Sequence, residues 1–127
     1  MIVDASAILA VVLNEADADE FMRALSSERE MHISPVNYLE ACIRLMRRKD
    51  DPAKVDRLME LSAIRLADTT PEQASFAREA YRQYGKGNHP AKLNLGDCFA
   101  YALARARSEP LLFKGDDFRK TDVEAAL

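Results

Sequence analysis

Apolar and polar positions alternate along the chain between short apolar runs and longer stretches of helical period. The runs Met1-Ile2-Val3, Met31-His32-Ile33, Ile64-Arg65-Leu66 and Leu111-Leu112-Phe113 have the length and bounds of short buried strands. A fifth, weaker run lies near Val123. Ser34-Pro35, Asp51-Pro52 and Thr70-Pro71 each set a side-chain oxygen before a proline, the pattern of an N-cap followed by the first helical residue. Thr70 with Gln73 predicts a capping box. After Ser34, Val36, Leu39, Ile43 and Met46 recur at helical spacing and predict that helix's buried stripe, ending in Arg47, Arg48 and Lys49, cations suited to its negative end. Further helices are predicted from Ser6 to near Leu13, from Asp17 to Leu25, and from Gly96 to Arg107 with Phe99, Ala102, Leu103 and Ala106 as its stripe. Strands alternating with helices predict a parallel sheet covered on both faces. The expected architecture is a three-layer α/β/α sandwich with a short central parallel sheet.

Composition narrows the picture. The length of 127 residues suits one domain spanning 1–127, and 48% apolar residues suffice for a core, which excludes disorder. The longest nearly apolar stretch, Ala5 to Leu13, falls short of the roughly 20 residues of a membrane span. No basic segment precedes it, so no signal peptide is expected and the cytoplasm is the expected compartment. Cys42 and Cys98 make neither a disulfide framework nor a zinc site and read as core thiols. His32 reads as a strand residue and His89 as a loop residue. A net charge of −3 neither advertises nor excludes nucleic-acid binding, because local basic patches count for more than the total.

The acids carry the candidate chemistry. Asp4 directly follows the first strand, Glu40 lies in the second turn of the helix after the second strand, Asp97 in the first turn of its helix, and Asp116-Asp117 shortly after the last apolar run. In a parallel α/β sheet, strand carboxyl ends and the following helix N-termini share one edge, where ligands bind. Acids far apart in sequence therefore meet there. Taken singly, Asp4 reads as an N-cap, Asp97 as a dipole-favoured first-turn acid, and Asp116-Asp117 as a turn after Gly115. Glu40 resists such a reading, because Val36 and Ile43 are its helical neighbours and a carboxylate rarely borders an apolar stripe without a partner.

Carboxylates without His or Cys partners suit hard divalent cations, Mg²⁺ with Mn²⁺ as a substitute. Such an ion supports hydrolysis of a phosphodiester by in-line displacement. The phosphate-binding glycine loops are absent: there is neither G-x-x-x-x-G-K-[ST] nor G-x-G-x-x-G after a strand. Phosphatases with an aspartyl nucleophile usually carry a second Asp two positions on, where this chain has Ser6.

Met1-Ile2-Val3-Asp4-Ala5-Ser6-Ala7, Glu40 in Tyr38-Leu39-Glu40-Ala41, Tyr84-Gly85-Lys86-Gly87-Asn88-His89 followed by Leu93-Asn94-Leu95-Gly96-Asp97-Cys98, and Phe113-Lys114-Gly115-Asp116-Asp117-Phe118 together resemble the motifs of PIN-domain ribonucleases, specifically the toxins of VapBC-type toxin–antitoxin modules. Each is weak alone; their order and spacing over almost the whole chain make the resemblance specific. It implies a Mg²⁺-dependent endoribonuclease, inhibited by a small VapB-type antitoxin, that forms a homodimer and a toxin–antitoxin hetero-oligomer. It further implies Asp4 and Asp97 as principal metal ligands, Glu40 and one of Asp116 or Asp117 completing the acid set, and Ser6 supporting Asp4. An RNA substrate needs phosphate-holding cations, for which the candidates are Lys86, Lys92, Lys114, Arg119 and Lys120. Arg44, Arg47 and Arg48 read as helix-surface or partner-contact residues. The competing readings are a metal-dependent phosphatase or DNA nuclease on a related sheet, and a catalytically inactive PIN-like binding module.

Overall fold

The structure, a computed structural model, describes residues 1–27 and 29–127. Four of the apolar runs form strands: β1 (Ile2–Val3), β2 (Met31–Ile33), β3 (Ile64–Leu66) and β4 (Leu111–Leu112). They pair in parallel in the order β3-β2-β1-β4, with Ile2 opposite both His32 and Leu111, and Val3 opposite Leu112. Near Val123 the expected fifth strand is reduced to one parallel bridge. There the Leu111 N–H donates to the Glu124 carbonyl at 2.8 Å and the Ala126 N–H to the Leu111 carbonyl at 2.9 Å.

Among the described residues six helices flank the sheet: α1 (Ala5–Val12), α2 (Ala18–Leu25), α3 (Pro35–Arg47), α4 (Ala53–Leu61), α5 (Pro71–Tyr84) and α6 (Leu95–Arg107). Successive strand residues point to opposite faces, so β1 and β4 each feed two cores. Val3 and Leu112 join Ile8, Leu25, Ile33, Leu45 and Val55 on one side. Ile2 and Leu111 join Ala80, Leu93, Tyr101 and Leu103 on the other. Cys42 and Cys98 are buried free thiols, His32 lies in β2 and His89 in the α5–α6 connection. Among the described residues no helix is long and apolar enough to cross a membrane.

Two of the three expected caps form: Ser34 Oγ accepts from the Val36 N–H at 3.2 Å and Thr70 Oγ1 from the Gln73 N–H at 3.2 Å. At the third, α4 begins one residue late, at Ala53 with Pro52 in the cap position, although Asp51 Oδ1 still accepts from the Ala53 N–H at 2.9 Å. The box at Thr70 is only half made, because the Gln73 amide turns to donate to the Asp68 carbonyl at 3.0 Å. The full capping box is at α6, where Asn94 and Asp97 bond reciprocally.

Two helices present different faces from those predicted. In α3 the core takes Asn37, Ala41, Cys42 and Leu45, while Leu39, Ile43 and Met46 stay 53%, 38% and 50% exposed. Both stripes are apolar, so period alone could not choose between them. The small Ala41 and Cys42 let α3 seat closely on its neighbours, and the Tyr38 hydroxyl, donating to Asp56 Oδ1 at 2.7 Å, ties the helix to α4. In α6 burial extends around Cys98 and from Ala100 to Ala104, leaving Phe99 and Ala106 only partly covered, because the helix is enclosed by the sheet on one side and α5 on the other.

The α3 rotation predicts unequal costs. Leu45→Ala leaves a cavity in the core and should destabilise by about 2–5 kcal/mol, whereas Leu39→Ala and Met46→Ala should stay within about 0.5 kcal/mol of the parent. Urea unfolding of the three variants measures this; equal losses at Leu39 and Leu45 would contradict the observed face.

Candidate active site

Asp4 sits where β1 ends. Its N–H donates to the Leu112 carbonyl at 2.9 Å, which continues the β1–β4 ladder by one step and delivers the side chain to the carboxyl edge of the sheet. Oδ2 accepts from the Ser6 N–H at 2.9 Å and the Ser6 hydroxyl at 2.6 Å, so Asp4 is also the N-cap of α1. Ser6 Oγ in turn accepts from the Lys114 N–H at 2.9 Å and fastens the loop after β4 to the loop after β1. The capping and site readings of Asp4 are therefore compatible: Oδ2 is committed to Ser6, Oδ1 lies toward the Asn37 amide, and the residue lines the groove described below. Asp4 is only 4% exposed.

Glu40 reaches the same place from the second turn of α3. Its carboxylate lies flat against the first turn of α6, where a Cβ on Gly96 would stand 2.6 Å from Glu40 Oε2. A side chain at this approach would push the Glu40 carboxylate aside. Asp97, the next residue, accepts from the Asn94 N–H through Oδ2 at 2.9 Å, while Asn94 Oδ1 accepts from the Asp97 N–H at 2.9 Å. This box fixes the start of α6 and aims Asp97 at the other two acids.

Burial and mutual repulsion set the charge state. Burial pushes the Asp4 carboxyl above its ordinary value against the pull of its Ser6 bonds. Burial and then the Asp4 charge raise Glu40. Asp97 is pushed up to about 7, first by burial and then by the charges of Asp4, Glu40 and Asp117, against the lowering bond from Asn94. Asp117 is thus close enough for Asp97 to feel its charge. Its neighbour Asp116 turns to a separate hollow with Asp17, Phe21 and Arg119. Gly115, at φ +97°, makes the turn that splits the two.

The acids line one wall of a groove of about 550 Å³ whose remaining surface is mostly apolar, including Leu9, Val36, Leu39, Ile43 and Leu95. Arg44 and Arg47, read from sequence as helix-surface or partner-contact residues, line the same groove, and among the described residues neither pairs with an acid of the site. The other basic candidates divide. Lys86 and Lys92 are exposed and unpaired among the described residues. Lys114 instead holds Glu15 and Asp17 in ion pairs. Arg119 lies 5.5 Å over the Phe113 ring and donates to the Leu127 carbonyl at 3.1 Å, and Lys120 points to the Pro90 carbonyl at 3.4 Å. Asn37 was missed by sequence reasoning: wholly buried, it donates to the Gly96 carbonyl at 2.9 Å and reaches Asp4 Oδ1 and Glu40 Oε2 at 3.4 Å each. Its one sequence signal is its place three residues before Glu40, on the face that α3 buries.

Among the described residues no three acidic, His or Cys side chains close on a single point. A ready-made cage is not what Mg²⁺ needs, since it keeps several waters and binds through one or two carboxylates plus substrate phosphates. An oxygen-only donor set in which Asp4, Glu40 and Asp97 line one groove fits that mode of binding.

Compared with known proteins, the chain matches the PIN domain family over residues 1–124. It is 46% identical over 130 residues to Ribonuclease VapC42 of Mycobacterium tuberculosis, covering 99% of this chain and 98% of the relative. It is 42% identical over 127 residues to Ribonuclease VapC of Mycolicibacterium smegmatis, covering 98% of each. In fold it matches the crystal structure of Mycobacterium tuberculosis VapC20, described as a Sarcin-Ricin loop cleaving toxin, with a TM-score of 0.76 at 20% identity over 96% of this chain and 95% of that one.

The raised acids give stability a definite pH dependence. Asp97 titrates near 3.8 when unfolded and near 7 when folded, so its contribution is complete below the unfolded value and lost as pH rises through the folded one. Metal-free protein should therefore melt at lower temperature as pH rises from about 5 to about 8. Asp97→Asn keeps an oxygen to accept from Asn94 but cannot ionise, and its melting curve should be flatter over the same range. Parallel curves for the two proteins in EDTA would contradict the assignment.

Proposed function

Since the chain belongs to the PIN-domain ribonucleases of the VapC type, we propose that residues 1–127 form one nuclease domain that cuts RNA, as the toxin of a toxin–antitoxin pair, at the centre built by Asp4, Glu40, Asp97 and Asp117. The carrying observation is that carboxylates from three separate elements are held beside one another in a half-buried setting that raises all three. Folding alone offers no reason to gather them. A full acid set argues against an inactive binding module, and the ribonuclease relatives argue against a phosphatase or DNA nuclease.

Asp4 and Asp97 would hold Mg²⁺, or Mn²⁺ in its place, with Glu40 and Asp117 orienting the first two and the water between them. When bound, the ion supplies an activated water and stabilises the charge that develops on the phosphate oxygens. Ser6 fixes Asp4 Oδ2 and so leaves Oδ1 as the oxygen it does not engage. Arg44 and Arg47 along the groove, with Lys86 and Lys92 on the loop before Asp97, would hold flanking phosphates of the RNA. The cytoplasm is the compartment this reading requires.

The groove also suits the antitoxin. The exposed Leu39, Ile43 and Met46 offer an apolar seat for an amphipathic helix, and the acids at its end would take an arginine through bidentate pairing. The same reading includes a homodimer and its hetero-oligomer with the antitoxin.

Asp4→Ala, Glu40→Ala and Asp97→Ala should each lower RNA cleavage by about 100-fold or more and abolish growth arrest while remaining folded. Sequencing of RNA 5′ ends after brief induction reads the effect, and folded variants that cut like the wild type would overturn the site. For the partner, Ile43→Glu should weaken binding of the co-expressed antitoxin by about tenfold or more, read by titration of the two purified proteins. Unchanged antitoxin affinity would remove the groove from the interface.

A further inference from the structure

We propose that Asn37 is a positioning residue that sets the spacing of Asp4 and Glu40 for cation binding; this rests on the metal-dependent nuclease reading above. One amide nitrogen, with two hydrogens to donate, lies within reach of acceptors on three elements. Asn37 Nδ2 lies 2.9 Å from the Gly96 carbonyl of α6, 3.4 Å from Asp4 Oδ1 at the end of β1 and 3.4 Å from Glu40 Oε2 on its own helix. All three neighbours are acceptors, so only the NH₂ side of the amide can face them. Asn37 Oδ1, on the other side, has no donor among the described residues.

That arrangement fits a local electrostatic task better than a packing one. An Asn that only tied α3 to α6 would need the Gly96 bond alone. Here the same group stands between two carboxylates that repel each other, and it is a donor without a charge. A lysine or arginine in its place would neutralise the acids and compete with a divalent cation. An acid would add to the repulsion, and an apolar residue would leave the spacing unset. A neutral donor keeps Asp4 Oδ1 and Glu40 at fixed places and leaves their charge available. Gly96 completes the device, because its missing side chain is what lets Glu40 lie within reach of the amide. Ligand-orienting partners of this kind typically matter about 10–100-fold in metal affinity.

Two variants separate this role from a structural one. Asn37→Leu replaces the amide with an apolar group of similar shape; it should fold, bind Mn²⁺ about tenfold or more weakly, and lose kcat with the KM for RNA unchanged. Asn37→Asp keeps the shape and reverses the polarity, so its melting temperature should fall further below wild type in EDTA than in Mn²⁺. It supplies a readout even where the leucine variant does not fold. Free Mn²⁺ followed by its paramagnetic resonance signal, melts in both media and steady-state cleavage provide the measurements. If Asn37→Leu binds Mn²⁺ and turns over like the wild type, or if the Asn37→Asp deficit is the same in EDTA and Mn²⁺, the positioning role is overturned while the nuclease reading stands. If the wild type itself neither binds Mn²⁺ nor cuts RNA, both fall together.

Discussion

Repulsion among Asp4, Glu40 and Asp97 is the constraint around which the carboxyl edge of the sheet is built. Among the described residues none of the three takes part in a salt bridge, although the chain carries 18 Lys and Arg. The protein holds them with neutral groups instead: the Ser6 hydroxyl, the Asn94 N–H, the Asn37 amide and the bare backbone at Gly96. Hydrogen bonds of this kind orient a carboxylate without cancelling its charge. Gathering like charges away from water costs stability, and the two cores on either face of the sheet offset that cost.

Much of this was legible along the chain because its signals are local. Apolar runs mark the four strands, and Ser34, Asp51 and Thr70 before prolines mark three helix starts, since a cap needs only its own next few residues. The convergence of Asp4, Glu40 and Asp97 followed from topology, which places strand ends and helix starts on one edge. What sequence could not show depends on rotation and on partners distant in the chain. The face of α3 was misassigned because two apolar stripes compete at one period. Asp116 and Asp117 are indistinguishable until the turn at Gly115 sends one to each side. Lys114 reads as a free cation until Glu15 and Asp17, far away in sequence, are brought to it.

The rotation of α3 links fold to function. By burying Ala41, Cys42 and Leu45, the helix directs Asn37 inward beneath the acids and Glu40 to the edge, and leaves Leu39 and Ile43 on the groove with Met46 exposed beyond them. One helix thus supplies an acid, the amide beside it, two cations and an apolar seat. A polar substrate and an apolar inhibitor segment would meet the same surface, so occupancy by one excludes the other. Inhibition in such a design needs no conformational change in the nuclease.

The most direct test of the shared centre is anomalous diffraction from a crystal of the protein soaked in Mn²⁺. The account predicts an anomalous peak within coordination distance of Asp4 Oδ1 and a carboxylate oxygen of Asp97, about 2.0–2.2 Å for a small hard cation, with Glu40 facing it. Mn²⁺ bound elsewhere, with no peak between Asp4 and Asp97, would contradict it.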